Sequence, residues 1–564
     1  MKNELKKLVD RILPEILSEL SPEQPIDPKK IDYDVDLPKV KGHGDLSINL
    51  GFQLSRMLKK APFEIATHCL RIIEKKMKVD ADWQKWVKSV TVAKPGFLNF
   101  KLVENSAAGF LIDMAKADAA YGKSEFGKGK RVLIEFVSAN PTGPLTIAHG
   151  RQAALGDTLA RILNAVGFKA DKEFYLNDAG RQIRLLGESI WARFCELSGK
   201  PYAFPEEGYK GTYLIDIARE LKEQFGESLL SKKSAEAIDT ARQFGVTKIL
   251  DSIKKDLADM RIVFDNYFSE KSLYERKVVE EVIERLRAKQ LVFEAEGAVW
   301  FRSTDFGDDK DRVLRKSTGE NTYLAPDIAY HSVKFGRGYE RLVNLWGPDH
   351  HGYVPRLKAA CQALGYSKDQ IDVLIVQLTT LYRDGVPVRM STRAGEFVTL
   401  RELMDEVGVD ATRFFFLMRK VDSHLDFDLE LAKKQSDENP VYYLQYAHAR
   451  ISSILAYANR PDEQVDDLMK ADLSRIIEPE EINLIKKMSE FPEALVQAAT
   501  NLEPYRIVDY LRELAASFHK FYALHRVVSD DPSLTQARLL LTHCVRLVLR
   551  NGLTVLGVSA PKKM

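Results

Sequence analysis

One stretch, VLIEFVSANPTGPLTIAHGRQAALGDTLARILNAVG from Val132 to Gly167, constrains the fold more than any other part of the chain. Its nearly all-apolar opening, Val132 to Val137, predicts a strand buried on both faces. A loop carrying Pro and Gly follows, Ser138 to Thr146. His149 and Gly150 then begin a helix in which Ala154, Leu155, Thr158, Leu159, Ile162 and Leu163 recur at helical spacing, and Gly167 stands where a helix C-terminal glycine belongs. With a second strand at Glu173 to Leu176, the pattern is a βαβ unit of an α/β fold. Its first turn aims the N–H groups and positive dipole end of a helix at whatever binds there, which suits phosphate. Neither G-x-x-x-x-G-K-[ST] nor G-x-G-x-x-G follows the strand, so phosphate needs another helper. His149, at the mouth of the turn, is the candidate; the competing reading is a satisfied core histidine.

Ser138 to Leu145 (SANPTGPL), followed by Thr146-Ile147-Ala148-His149, resembles the first signature of class I aminoacyl-tRNA synthetases, spelled HIGH. The SANPTGPL lead-in resembles arginyl-tRNA synthetases in particular. Thr146 stands for the first His, Ala148 for the Gly, and the second His is kept as His149. The resemblance implies that Thr146, His149 and Gly150 contact ATP, and that Thr146 and His149 help stabilise charge on the α-phosphate as an adenylate forms. Arg389-Met390-Ser391-Thr392-Arg393 resembles the second signature, KMSKS, which brings positive charge to the ATP phosphates. Arg389 replaces the first Lys, Thr392 stands at the second and Arg393 sits one place later. Arg389 and Arg393 are therefore expected to supply the catalytic charge, beside Met390 and Ser391 on the nucleotide; a solvated basic loop is the plain alternative.

Two more clusters carry chemistry. Asp349-His350-His351, just past the apolar strand Leu342 to Trp346, lies where open α/β sheets bind ligands. The family reading makes Asp349 and His350 nucleotide contacts. A two-metal phosphoesterase site is the rival, but it needs further aspartates that the sequence upstream does not offer. Tyr323-Leu324-Ala325-Pro326-Asp327 resembles the family's Y-x-x-x-D element. In that element Tyr323 and Asp327 face the substrate side chain, with residues placed like Glu135 and Asn140. A guanidinium is planar and permanently charged, with five N–H donors, so a carboxylate can hold two of them in a fork. Taken alone, Asp327 reads as an ordinary loop or cap residue.

The remaining sequence sets the domains. Leu5, Leu8, Val9, Ile12, Leu13, Ile16 and Leu20 give one apolar helix face, and two strand pieces flank Pro95-Gly96. Residues 1–120 thus read as a small α+β domain, resembling the family's N-terminal domain for the D-loop of tRNA. That resemblance offers Phe97 and Asn99 as tRNA contacts by stacking and base-edge pairing, although the two read equally as a core aromatic and a turn amide. Residues 121–400 read as a Rossmann-like parallel-sheet catalytic domain with a helical insertion near 191–293. Residues 401–564 read as an all-α bundle, whose Asp410-Ala411-Thr412-Arg413 resembles the start of a DALR-type anticodon-binding domain. Tyr446 and Arg450 are its candidates for single-stranded bases, against a plain core reading. The 564 residues hold four dispersed cysteines, Cys69, Cys195, Cys361 and Cys544, and a net charge of +2. A disulfide framework is disfavoured and a cytoplasmic setting without membrane is expected. The resemblance implies L-arginine, ATP with Mg²⁺ as substrate complex, and the arginine tRNA as partners of a monomeric arginine–tRNA ligase, with no protein-held metal. A non-catalytic tRNA-binding relative, suggested by Thr146, Ala148 and Thr392, is the alternative.

Overall fold

The structure is a computed structural model. It describes the chain apart from residues 1, 24, 37, 39–41, 179, 389–397 and 459–464, and apart from the side chains of residues 3, 104–107 and 465. Five parallel strands form the central sheet: β1 (Arg131–Glu135), β2 (Lys169–Leu176), β3 (Asn266–Ser269), β4 (Arg341–Trp346) and β5 (Ile371–Ile375), in the order β5-β4-β1-β2-β3. Val132, Leu133 and Ile134 in β1 are at most 1% exposed, because helices cover both sides of a middle strand. Helix α1 (Ile147–Ala165) returns the chain from β1 to β2. At Gly156 a side chain would bring Cβ to 2.2 Å from the Phe136 ring, so only glycine lets the helix lie this close to the sheet. The chain leaves β1 for β2 on one side, while β4 pairs on the other. The crevice at their C-terminal ends is the switch point where such sheets bind ligands. Helix α2 (Leu324–Gly336) precedes β4, and α3 (Val354–Leu364) joins β4 to β5.

One expectation changes. The segment read as a helical insertion, 191–293, does contain helices Tyr213–Phe225 and Ser234–Asp259, but it also returns to the sheet as β3, paired along β2. That strand has only four residues and sits at the sheet edge, with Phe268 its one buried side chain. An edge strand needs no long apolar run, so its sequence carries no strand signal.

Ahead of the sheet, helices Lys2–Leu20, Leu50–Leu58 and Pro62–Val79 pack with a four-stranded antiparallel sheet that includes Val87–Ala93 and Phe97–Leu102. After the sheet, strand β6 (Thr379–Arg383) pairs in parallel with β7 (Leu425–Asp428). Helices α4 (Val409–Leu417), α5 (Pro440–Tyr457), α6 (Tyr505–Leu524) and α7 (Pro532–Leu556) follow as a bundle around β7 and beyond it. By length and hydropathy α7 could cross a membrane, but 83% of its apolar window is buried inside the protein. The bundle is riveted to α1. Arg413 and Asp157, both 0% exposed as side chains, pair at 2.7 Å. Arg413 also donates to the Leu556 and Met260 carbonyls at 3.1 and 2.9 Å.

Candidate active site

Thr146 is the N-cap of α1 and His149 its third residue. The Thr146 backbone N–H donates to His149 Nδ1 at 3.1 Å, and Thr146 Oγ1 lies 3.2 Å from the same nitrogen. A backbone N–H can only give a proton, so Nδ1 accepts and Nε2 carries the ring hydrogen. Burial pulls the His149 imidazole down to about 4. At neutral pH the ring is uncharged and presents an N–H donor at the helix N-terminus. Gly150, expected on ATP, is also a close packing point. Its N–H already bonds the Thr146 carbonyl at 3.0 Å, and a Cβ there would meet Leu400 at 2.6 Å. Its bareness lets α1 pack against the chain that follows the sheet.

Between β1 and α1 the chain turns sharply, with Val137 and Ser138 at φ of 67° and 41°, a conformation that costs L-residues about 1–2 kcal/mol each. The turn sets Ser138 Oγ between Glu135 Oε1, to which it donates at 3.2 Å, and the Tyr175 N–H, from which it accepts at 3.1 Å. Asn140 Nδ2 donates to Gln182 Oε1 at 2.6 Å, leaving its carbonyl oxygen as the atom suited to an ammonium group.

Beneath this loop lies a buried polar layer. Lys334, 0% exposed, donates to Glu135 Oε2 at 2.5 Å and to Asn344 Oδ1 at 3.0 Å. Asn344 Nδ2 faces His331 Nε2 at 2.8 Å, and His331 Nδ1 faces the Asp327 carbonyl at 2.8 Å. Because the Asn344 oxygen is committed to Lys334, its amide donates to Nε2 and His331 donates from Nδ1. Burial and the nearby Lys334 push His331 well below its ordinary value, in keeping with that neutral tautomer. On β2, burial alone would raise Glu173, but Arg337, Lys334, Tyr330 and Asn266 together hold its carboxyl below the ordinary value. Arg337 makes two of those bonds, at 2.6 and 2.8 Å. Each charge in this layer has a partner.

Above the layer the charges are not balanced. Asp327, in the first turn of α2, is pushed up to about 7 by burial, and the neighbouring Glu135 and Glu270 add to the shift against Tyr353 and Lys334. Glu270 is also raised, by burial and then by Asp178, although the Tyr175 hydroxyl donates to it. The Tyr353 hydroxyl lies near Asp327 but is buried without a well-formed hydrogen bond among the described residues. Lys334, the ammonium in reach, is already committed to Glu135 and Asn344. Two carboxylates and a phenol gathered here form a cluster with an excess of negative charge, an environment that suits a cation. Of the residues expected there, Asp327 and Glu135 face this region together. Glu135 already has both oxygens engaged, and Tyr323 stands 84% exposed at the N-cap of α2.

Asp349 and His350 sit in the turn Pro348–Tyr353 at the C-terminal end of β4, paired at 3.4 Å with side chains 78% and 56% exposed. No group of three potential metal ligands occurs among the described residues. Arg389, Met390, Ser391 and Arg393 lie outside the described residues.

Two hollows lie away from the sheet. Asp34, Ser47, Asn49, Lys94, Phe97 and Asn99 line about 300 Å³ on the N-terminal sheet. Phe97 packs at 4.9 Å from Phe52, and Asn99 is 4% exposed on a strand, not in a turn. Tyr446, Arg450, Tyr457, Tyr522 and Arg526 line about 780 Å³ at one end of the bundle. There the Arg450 guanidinium lies 5.0 Å from the Tyr446 ring centre and 4.9 Å from that of Tyr522.

Known protein families match the three regions in which these places lie. The class I (R) tRNA synthetase catalytic domain matches residues 112–422, the arginyl tRNA synthetase N-terminal domain residues 3–102, and the DALR anticodon binding domain residues 444–564. An arginine–tRNA ligase of Geobacter sp. (strain M21) is 49% identical over 532 residues, 94% of each chain. The chain belongs to the arginyl-tRNA synthetase family. It is therefore an aminoacyl-tRNA ligase of class I. The arginine–tRNA ligase of Desulfosudis oleivorans is 48% identical over 535 residues, covering 94% of this chain and 95% of that one. In fold, the crystal structure of Thermus thermophilus arginyl-tRNA synthetase covers 99% of this chain and 100% of its own, with a TM-score of 0.73 at 23% identity.

Within this arginyl-tRNA synthetase the sequence reading overlooked Lys334, Asn344, Glu270 and Tyr353. Lys334 follows Asp327 by seven residues, two helical turns, so it shares a face with it. That was a readable signal. Glu270 directly follows the short edge strand β3 and gave none.

Proposed function

We propose that the acidic cluster around Asp327 binds the arginine side chain and that α1 and the β4 turn bind ATP. The observation that carries this is the imbalance: Asp327 and Glu270 are both raised by burial and by neighbouring carboxylates, and the cation within reach is already bound. A guanidinium entering there restores the Asp327 carboxylate and donates a two-pronged hydrogen bond to it. Tyr323, from the rim, and Asn140, through its carbonyl oxygen, complete the set, with Asn140 suited to the α-ammonium. Glu135 acts through its neighbours: it fixes Lys334 below and Ser138 above.

In the first step an arginine carboxylate oxygen attacks the α-phosphorus of ATP, and the bond to pyrophosphate breaks. The neutral His149 donates from Nε2 to phosphate oxygens as negative charge builds, while Thr146 holds the ring. Arg389 and Arg393 supply positive charge to the leaving pyrophosphate beside Met390 and Ser391, and Asp349 and His350 meet the nucleotide. Mg²⁺ belongs to the ATP substrate. In the second step the terminal ribose hydroxyl of the arginine tRNA attacks the activated carbonyl carbon, and AMP leaves. Residues 1–120, with Phe97 and Asn99, read the D-loop; 121–400 carry the chemistry; 401–564, with Tyr446 and Arg450, read anticodon bases. The enzyme works as a cytoplasmic monomer.

Pyrophosphate exchange into ATP, with total tRNA present and each amino acid in turn, tests the reading. Exchange with arginine alone is expected. No exchange with any amino acid would leave only a tRNA-binding relative.

A further inference from the structure

Arg151 is 0% exposed on α1, two residues beyond His149 and so about 200° further round the helix. It turns away from the nucleotide side of α1 and into the polypeptide. Its guanidinium meets four backbone oxygens: Nη1 donates to the Gln377 and Leu378 carbonyls at 2.8 and 3.3 Å, and Nη2 to those of Lys420 and Ser423 at 2.9 and 2.8 Å. Burial pulls it down to about 10, and Asp422 acts on it from a longer distance.

These four carbonyls belong to two segments that enter parallel strands. Gln377 and Leu378 lead into β6, and Lys420 to Ser423 lead into β7. The two segments also bond each other, Gln377 N–H to the Val421 carbonyl at 3.0 Å and Leu425 N–H to the Leu378 carbonyl at 3.1 Å. Beyond β6, strand Val386–Pro387 ends two residues before Arg389. On the far side of the second signature, the Leu400 N–H donates to the Leu145 carbonyl at 2.8 Å, next to the Thr146 cap. The chain on both sides of the second signature is thus fastened to the loop and helix of the first. Beyond β7 the C-terminal bundle continues with α5.

We propose that Arg151 is a positioning residue for adenylate formation: it clamps the base of the β6–β7 ribbon, which leads toward the second signature, to the helix that carries His149. A fixed two-pronged cation serves this better than a lysine, whose single ammonium can satisfy the carbonyls of one segment but not of both. The proposal rests on the reading of this crevice as the adenylate-forming site.

The test uses the full chain with arginine, ATP and tRNA. R151A is expected to lower kcat of pyrophosphate exchange about 100-fold, the effect of a roughly 1 Å misplacement, with KM for arginine and calorimetric arginine affinity unchanged. R151K is expected to fall between R151A and the wild type. Amide exchange should quicken in residues 377–383 and 420–428 and stay slow in α6 and α7. Wild-type kcat in both variants overturns the proposal. So does a loss of kcat matched by the loss of active sites on titration, with exchange quickened throughout. If R151A does not fold, R151K decides alone, by reduced kcat at unchanged arginine affinity or by wild-type kcat. Absence of arginine-dependent exchange in the wild type would instead refute the reading of the site.

Discussion

Asp157 in α1 and Asp327 in α2 meet opposite company. Asp157 accepts from Arg413, Arg161 and Lys172 at 2.7, 2.7 and 2.9 Å. Burial would raise it, but these three cations hold it below its ordinary value. Asp327 has two carboxylates and an unsatisfied phenol for neighbours, and is raised to about 7. One charge is complete within the chain and fastens the bundle to the sheet. The other, in the proposed function, is completed by the arginine substrate. The balance of charge around a buried carboxylate, more than its depth, separates a structural group from a binding one.

Replacing each acid's surroundings should break the contrast in different currencies. The largest effect is expected for Asp327→Ala. Losing two charge-assisted hydrogen bonds costs about 4 kcal/mol, roughly 1,000-fold in arginine affinity. ATP affinity and the urea midpoint should stay at wild-type levels, and equal loss of arginine and ATP binding would refute the assignment. Next comes Arg413→Ala, expected to cost about 3 kcal/mol in urea unfolding, because a buried pair loses one member while Arg161 and Lys172 remain. Arginine KM of the folded variant should not move. A shifted KM would mean the rivet also shapes the site.

His149→Ala follows, with adenylate formation slowed about 100-fold, near 2.7 kcal/mol, and arginine affinity retained. An unchanged activation rate counts against a donor role. Smallest is the pH effect. With Asp327 at about 7, its carboxylate fraction drops about tenfold between pH 8 and pH 6, so arginine KM should rise by that factor on acidification. Asp327→Asn should flatten the profile. The sign for stability is opposite: a carboxyl raised from 3.8 to about 7 takes up protons more readily when folded. Its contribution is therefore present at low pH and is lost as pH rises through 7. Asp157, held low, contributes stability at neutral pH that is lost on acidification, and Asp157→Asn should remove that acid sensitivity.

Regular elements near β1 could be read from the chain because each is locally overdetermined. Val132 to Val137 is apolar on both faces, and α1 has its periodic stripe and its glycine stop. Where one face is enough, the pattern fades, and β3 was hidden among helices. Site residues divided the same way. His149 and Asp327 stand in motifs with characteristic spacing, whereas Glu270 and Tyr353 reach the site from separate elements. Gly150 stands beside a motif, but its packing against Leu400 and Phe416, some 250 residues later in the chain, could not be read from the sequence.

The sequence alone determined the α/β core and the helical bundle behind it through periodicity and spacing, which are local properties. The family, and Asp327 as a candidate acid for a cationic substrate, came from the resemblance of its motifs. Tertiary structure decided which charges are already satisfied. Lys334 takes up Glu135, Arg413 takes up Asp157, and Arg151 spends its charge on four carbonyls, while Asp327 is left needing a cation. Neutralisation depends on distances between side chains far apart in the chain, and only folding sets those distances.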